Sequence, residues 1–292
     1  MSTLTSYASA AARDSAAPAA SNTGLCIFRS DTKAIEVSDG SVWLAYNNDG
    51  ATSVSGISNA YSVLTSGSND YVASGSVAAL NSATNFAMSF YVNFQSFVAN
   101  GSGYNIFVAA GTGSTNRFLI NAIRATSSTC NNMEVYYLDA GGASMTAGSL
   151  GLSSNTWYHM ALYKSGQNMN FYIDNVLKMS RTNAGTDSAV GSNLRLGSDN
   201  LYGTAYASNV LVDEFAVWPT DETSNRTAIY NNGVPADLSN FGGTNDNGPD
   251  VWLRMGDNDS GTGTTVTNQG QSSTTNDGTL TNGASFSTTA AP

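Results

Sequence analysis

The chain has 292 residues, enough for one large β domain with extensions or two smaller domains, and enough to bury a substantial core. Charged residues make up only 11% of it, against about 25% in an average soluble domain. Its surface therefore bonds through hydroxyls, amides and backbone, which suits extracellular β proteins and packed assemblies better than a cytosolic helical enzyme or a disordered chain. Lys and Arg total 11 against 21 Asp and Glu, a net charge of −10 with no basic cluster. Phosphate recognition needs clustered cations, so the balance argues against nucleic acid and against a bare anionic membrane as partners. No apolar run is long enough to insert across a bilayer.

Residues 1–23 are small, Ala/Ser-rich and nearly uncharged, with neither the basic start nor the apolar centre of a secretory signal. They predict an extended arm or a short helix, broken at Pro18. A protein of this kind that works outside a cell would leave by another route, such as lysis. Residues 24–50 alternate apolar and polar positions (Leu25, Ile27, Ile35, Val37, Val42, Leu44, Tyr46) and place turn residues at 31–33 and 39–41, which predicts a small β-meander. Three short strands bury too little to stand alone, so this unit needs a neighbour. Residues 51–59 read as a polar linker.

Between 60 and 240, short apolar or alternating runs are separated by Gly, Asn and Ser clusters, and the pattern predicts an antiparallel sandwich or barrel. One segment, 224–233, has a helical character. Within 157–163, Trp157, Met160 and Leu162 are expected on one face and Tyr158, Ala161 and Tyr163 on the other. Asp174-Asn175 is expected to form a two-residue hairpin turn. Residues 241–292 are rich in Gly, Thr and Asn, with one clear strand at 251–257 that should pack on the sandwich and weaker strand-like stretches near Val266, Leu280 and Phe286.

Several blocks carry a family resemblance, in the family's order: SGSNDYV at 66–72, FAMSFYVNF at 86–94, NTWYHMALYKSGQNMNFYIDNVLK at 155–178, LRLGS at 194–198 and LVDEFAVWP at 211–219. Together they resemble a concanavalin A-like lectin, or laminin G-like (pentraxin-type), domain. The resemblance implies an all-β fold: a concanavalin A-like antiparallel β-sandwich (jelly roll) over 60–240, with the small N-terminal β-meander and arm ahead of it. Asp31, Thr32, Asp39, Gly40, Ser41 and Trp43 are similar to a motif of phage tail and head-fibre proteins. Trp252, Arg254, Met255, Gly256, Asp257, Leu280, Thr281 and Asn282 are similar to a stretch that accompanies laminin G-like domains in phage structural proteins. These likenesses imply a virion surface structural protein of a tailed bacteriophage, a head decoration, fibre or tail-associated component. Its partners would be other capsid or tail proteins and its own copies, a trimer before a dimer. The alternative they imply is a calcium-dependent carbohydrate-binding adhesin that recognises host surface glycans.

Candidate chemistry is sparse. His159 is the single histidine, so a His-based metal cluster is excluded and a structural role in a core-facing strand is expected. Concanavalin-like glucanases carry closely spaced acids on one strand. Here Asp213 and Glu214 are adjacent, and on a regular strand they would face opposite sides. No enzymatic activity is therefore expected. No cofactor is required, but calcium, which takes six to eight oxygen ligands, has candidate ligands that the resemblance implies in Asp70, Asp199, Asn200 and Asp213. Tyr202, Tyr206 and Tyr104, with Tyr137, are candidate sugar-stacking residues near loops or strand ends. Cys26 and Cys130 have no metal-ligand spacing and read as small apolar residues, with a disulfide between them left open.

Overall fold

The computed structural model describes residues 5–29, 34–38, 41, 43–46, 52–53, 57–67, 69–81, 84–97, 104–113, 116–123, 125–138, 143–182, 192–197, 209–239, 241–243 and 247–292. Its strands are β1 (Thr5–Tyr7), β2 (Cys26–Arg29), β3 (Ala34–Ser38), β4 (Trp43–Tyr46), β5 (Thr52–Ser53), β6 (Ser62–Thr65), β7 (Tyr71–Gly75), β8 (Asn85–Ser96), β9 (Tyr104–Gly113), β10 (Asn116–Ile123), β11 (Thr129–Cys130), β12 (Asn132–Leu138), β13 (Ala143–Ala147), β14 (Leu152–Ser153), β15 (Trp157–Ser165), β16 (Asn168–Ile173), β17 (Val176–Arg181), β18 (Leu194–Gly197), β19 (Asn209–Trp218), β20 (Val251–Leu253), β21 (Thr265–Val266), β22 (Gly278–Thr281) and β23 (Ser285–Ser287). Two short helices, α1 (Ala10–Ala16) and α2 (Arg226–Tyr230), complete the main elements.

The N-terminal unit is a five-stranded sheet in the order β1-β2-β3-β4-β5. The arm is part of it: β1 pairs in parallel with β2, and α1 follows, capped by the Ser9 side chain, which accepts the Ala12 N–H. An ion pair ties helix to sheet, since Arg13 Nη1 donates to Glu36 Oε2 at 2.6 Å and both side chains are buried. The arm orders by contributing an edge strand and a cation to the meander. The motif residues Asp31, Thr32, Asp39 and Gly40 lie outside the described residues.

The rest, apart from the short pair of β11 and β14, is a sandwich of two eight-stranded sheets with antiparallel ladders. The front sheet runs β13-β12-β10-β9-β18-β7-β22-β21 and the back sheet β17-β16-β15-β8-β19-β6-β23, with β20 also paired to β19. Alternation explains both faces of the back sheet. In β8, Phe86, Met88, Phe90, Val92 and Phe94 enter the core between the sheets, while Ala87 faces a second cluster on the outer side. The inter-sheet core is aromatic: Phe90 and Phe94 both meet Phe107 of the front sheet, with centroids 6.0 and 5.3 Å apart. The outer cluster packs Tyr163, Tyr172, Trp218 and Trp252 under Ile229, Ala236 and Leu238, so α2 and the segment after it roof the back sheet.

β15 corrects the expected sides of Trp157. Tyr158, Met160 and Leu162 share the core face, and Ala161 and Tyr163 the outer one. Strict period-two alternation puts Trp157 with the outer set, half-buried rather than core. Between β16 and β17, Asp174 and Asn175 have φ of 49° and 62°, both left-handed, and Ile173 pairs with Val176, the two-residue hairpin geometry expected from that dipeptide. The C-terminal stretch does more than lay one strand on the sandwich. β22 pairs with β7 in the front sheet and β23 with β6 in the back sheet, so residues 278–287 stitch both layers. Among the described residues, no helix is long and apolar enough to cross a membrane.

Candidate functional site

Two places bring polar chemistry together. The first is the outer face of the front sheet. Register places one residue from every strand in a single transverse row: Ser144, Tyr136, Leu119, Ala109, Arg195, Ala73, Thr279 and Thr265. Beside it run Thr146, Glu134, Asn121 and Ile106. Ile106, Ala109 and Leu119 form a small buried apolar floor, with Tyr136 packed against it. Two guanidinium groups lie over tyrosine rings, Arg117 on Tyr136 at 4.3 Å and Arg195 on Tyr71 at 4.4 Å, an arrangement that rigidifies both partners. Asn121 is 1% exposed; its Nδ2 reaches Glu134 Oε2 at 3.4 Å, while its Oδ1 is buried without a hydrogen-bond partner. A buried amide oxygen left unbonded costs free energy. Such a face offers rings, cations and hydroxyls.

The second is a buried acidic cluster on the far side of the back sheet, where Asp213, Glu214 and Asp257 bring carboxylate oxygens within 4.8 Å of one another. This overturns the expectation that Asp213 and Glu214 face opposite sides. β19 carries a bulge: Asp213 pairs with Tyr91 but Ala216 with Ser89, so three steps on β19 match two on β8. Glu214 takes the strain at φ 46°. The inserted residue switches parity, so Val210 and Val212 before it and Phe215 and Val217 after it all reach the core. Both carboxylates are therefore left outside the core. The left-handed conformation costs about 1–2 kcal/mol for a residue with a Cβ, offset by hydrogen bonds. Asp213 Oδ1 accepts the Glu214 N–H, and Glu214 accepts from Trp252 Nε1 at 2.7 Å and Arg254 Nε at 3.0 Å.

Electrostatics follow from burial. Asp213 is 0% exposed and Glu214 3%. Desolvation pushes both carboxyls up, Asp213 well above its usual range and Glu214 to about 7, the Arg254 cation opposing the rise at Glu214. His159, with 2% exposure, is held neutral by burial, its value lowered to about 3; Nε2 shares a 2.7 Å hydrogen bond with Ser89 Oγ. This is the structural role expected of it.

The sequence-derived candidates fall in different places. Asp70 and Asp213 do not converge. Asp70 Oδ1 accepts the Gly283 N–H at 3.0 Å, and the carboxylate packs so closely on Gly67 and Gly283 that a Cβ on either would stand 2.7 Å from it. It pins the turn between β22 and β23. Asp213 accepts from Asn59 Nδ2 and from the Ala291 N–H, each at 2.9 Å. Its neighbour Glu214 is held by the Arg254 guanidinium, so the carboxylates form a hydrogen-bonded, ion-paired cluster. Asp199, Asn200, Tyr202 and Tyr206 lie outside the described residues, as does the side chain of Tyr104. Tyr137 is a core residue, fully buried against Phe86 and Phe118, so it cannot stack on a ligand. Cys26 and Cys130 are both free, one exposed and one buried. Sequence reasoning missed Arg117, Tyr136 and Arg195, since their meeting depends on cross-strand register. It missed the cluster of Asp213 with Asp257 because a bulge leaves no local signal.

Two eight-stranded antiparallel sheets packed over one aromatic core define a lectin-like β-sandwich. A family model described as the concanavalin A-like lectin/glucanases superfamily matches residues 66–225, more than half of the chain, and the chain belongs to that superfamily. Several solved structures align with parts of the chain. A heptameric SAP-like pentraxin from Limulus polyphemus aligns at 15% identity and TM-score 0.44, over 59% of this chain and 82% of the pentraxin. A candidate carbohydrate binding protein from Bacteroides ovatus aligns at 14% and 0.50, over 78% of this chain and 60% of that one. The binding domain of botulinum neurotoxin serotype G aligns at 14% and 0.45, over 65% and 48%. No curated protein sequence matches the chain.

Proposed function

We propose that the protein is a non-catalytic surface component of a phage virion, in which residues 5–53 anchor the chain and the sandwich is displayed. The observation that carries the reading is the separateness of the N-terminal sheet. Among the described residues its strands pair only with one another, it has its own buried Arg13–Glu36 pair, and it leaves Leu25 and Ile35 38% and 46% exposed. Five short strands with uncovered apolar side chains call for a covering surface, which capsid or tail proteins or sister copies in a trimer would supply. The motifs around Trp43 and Trp252–Asp257 point to the same protein class. The non-catalytic reading rests on closure: Asp213 and Glu214 sit beneath Trp252 and Arg254 with no room for a glycosidic bond. Light scattering of the full chain, together with incorporation of a 1–53 deletion into particles, tests the anchor. A monomeric full chain, with a deletion that still incorporates, would sink it.

A second reading is favoured by the outer face of the front sheet. There the Arg-covered tyrosines and the neighbouring hydroxyls suit recognition of a host glycan by a displayed adhesin. A glycan array with the full chain, in calcium and in chelator, tests it. Arg117→Ala should abolish any neutral-glycan signal. Dependence on calcium would assign a role to Asp199 and Asn200, and a blank array in both conditions would remove the adhesin reading.

A further inference from the structure

Two polar groups on the outer face of the back sheet are left over once the bulge cluster is accounted for. Register sets Tyr91 of β8 between His159 of β15 and Asp213 of β19. Tyr91 is 4% exposed and His159 2%. Their rings meet edge to face with centroids 4.9 Å apart, and Tyr230, from the α2 roof, lies 5.4 Å from the imidazole. The imidazole is tied down at one end, where Nε2 shares a bond with Ser89 Oγ. Its Nδ1 is buried with no hydrogen-bond partner among the described residues, and the Tyr91 hydroxyl is in the same position. Buried polar atoms in folded proteins are nearly always bonded, to protein or to ordered water, because an unmet donor or acceptor carries its full desolvation cost. Two such atoms on touching rings point to one shared partner. The strands and the helix that carry them lie wholly among the described residues.

We propose that the Tyr91 hydroxyl and His159 Nδ1, beneath α2, form a binding site for ordered water that bridges the two groups. Both ends of the site are neutral. Burial lowers the imidazole to about 3, so the ring carries one proton. Burial, with the charges of Glu214, Asp213 and Asp174 nearby, pushes the ionisation of the Tyr91 phenol upward, so it keeps its proton too. The bond between Nε2 and Ser89 can run in either sense, which makes Nδ1 a donor in one tautomer and an acceptor in the other. Water donates and accepts, so it serves either tautomer and the phenol together, where a fixed protein group would serve one. Two neutral ends call for no ion, and the contact of the two rings keeps the site small. The site belongs to the roofed layer of the back sheet and stands independently of the anchor and of glycan recognition.

The test uses the full chain, in which His159 is the only histidine, so its ring signals in a histidine-labelled sample need no assignment. Rotating-frame NMR should show cross-peaks between water and the carbon-bound protons of the imidazole, with the sign that marks bound water and not proton exchange. Oxygen-17 relaxation dispersion should show that Tyr91→Phe loses a long-lived water present in the wild type. Melting separates a bridged hydroxyl from an unpaired one. If water bridges the site, Tyr91→Phe removes a satisfied group, strands Nδ1 and lowers the melting temperature. If the hydroxyl is unpaired, the same substitution relieves a buried polar atom and raises it. Missing ring-to-water cross-peaks, an unchanged content of long-lived water in Tyr91→Phe, or a raised melting temperature would each overturn the proposal. Should Tyr91→Phe fail to fold, the wild-type cross-peaks decide alone.

Discussion

The backbone N–H of Ala291 donates to Oδ2 of Asp213 at 2.9 Å, joining residues 78 apart in the sequence at a fully buried carboxylate. Through Asp213 and its neighbour Glu214, the bulge of β19 gathers Asn59 from the entry to the sandwich, Trp252 and Arg254 from the C-terminal region, and the last residues of the chain. The C-terminal segment is thereby part of the fold and no appendage.

Truncation should show this. Removing residues 278–292 deletes β22 and β23, opens the edges of β7 and β6, and strips Asp213 of a donor. The truncated chain should lose its cooperative thermal transition by circular dichroism. Removing residues 1–53 should leave one, because those strands pair only among themselves among the described residues. A 1–277 chain that melts as the full chain does would refute the assignment.

Arg254 compensates the cluster, 3.0 Å from Glu214 and 3.7 Å from Asp257. Arg254→Met leaves buried carboxylates without their cation and should destabilise by about 3–5 kcal/mol in equilibrium unfolding. Glu214→Gln, which keeps an acceptor for Trp252, should cost less, and combining the two should cost less than their sum. Strict additivity would show that the pair is not coupled.

The pH dependence carries two opposing signs. The Glu214 carboxyl is raised by burial from 4.5 to about 7, so the folded state holds a proton that the unfolded state releases. Its contribution to stability is present below about 4.5 and is lost as pH rises through 7. His159 is lowered by burial from 6.5 to about 3, so its contribution is present above 6.5 and is lost as pH falls toward 3. Between 4.5 and 6.5 the two slopes, each up to about 1.4 kcal/mol per pH unit, run against each other. Asp213 is raised by burial in the same sense as Glu214, so the carboxyl slopes together outweigh the histidine slope and the wild-type melting temperature should rise as pH falls across that window. Glu214→Gln should flatten that rise, because Asp213 and His159 then oppose each other, and His159→Gln should steepen it. Parallel profiles for all three proteins would contradict the burial of one or both groups.

Trp218 and Trp157 separate core from surface. Trp218 is fully buried and donates from Nε1 to the Phe241 carbonyl at 2.9 Å. Trp218→Ala should cost about 3–5 kcal/mol. The half-buried Trp157 should cost well under half of that when truncated. Comparable losses in urea titrations would mean that Trp157 is a core residue after all.

Much of this protein could be read from its residues. The alternation in FAMSFYVNF produced β8 with its two faces, and the Asp174-Asn175 dipeptide fixed a hairpin because few residues tolerate two consecutive left-handed conformations. The ordered blocks from SGSNDYV to LVDEFAVWP identified the superfamily. These are local properties, encoded by period and by turn chemistry over a few neighbours. What the sequence left undecided depends on groups distant along the chain. An extra residue in β19 turned two carboxylates to one side, which no alternation rule predicts, since a bulge is stabilised by the partners it meets and here these are Trp252 and Arg254. The row from Ser144 to Thr265 exists only because eight strands adopt one register. The edge strands β13 and β17, about 35 residues apart in sequence, meet only because the packing of the aromatic core brings the two sheets together.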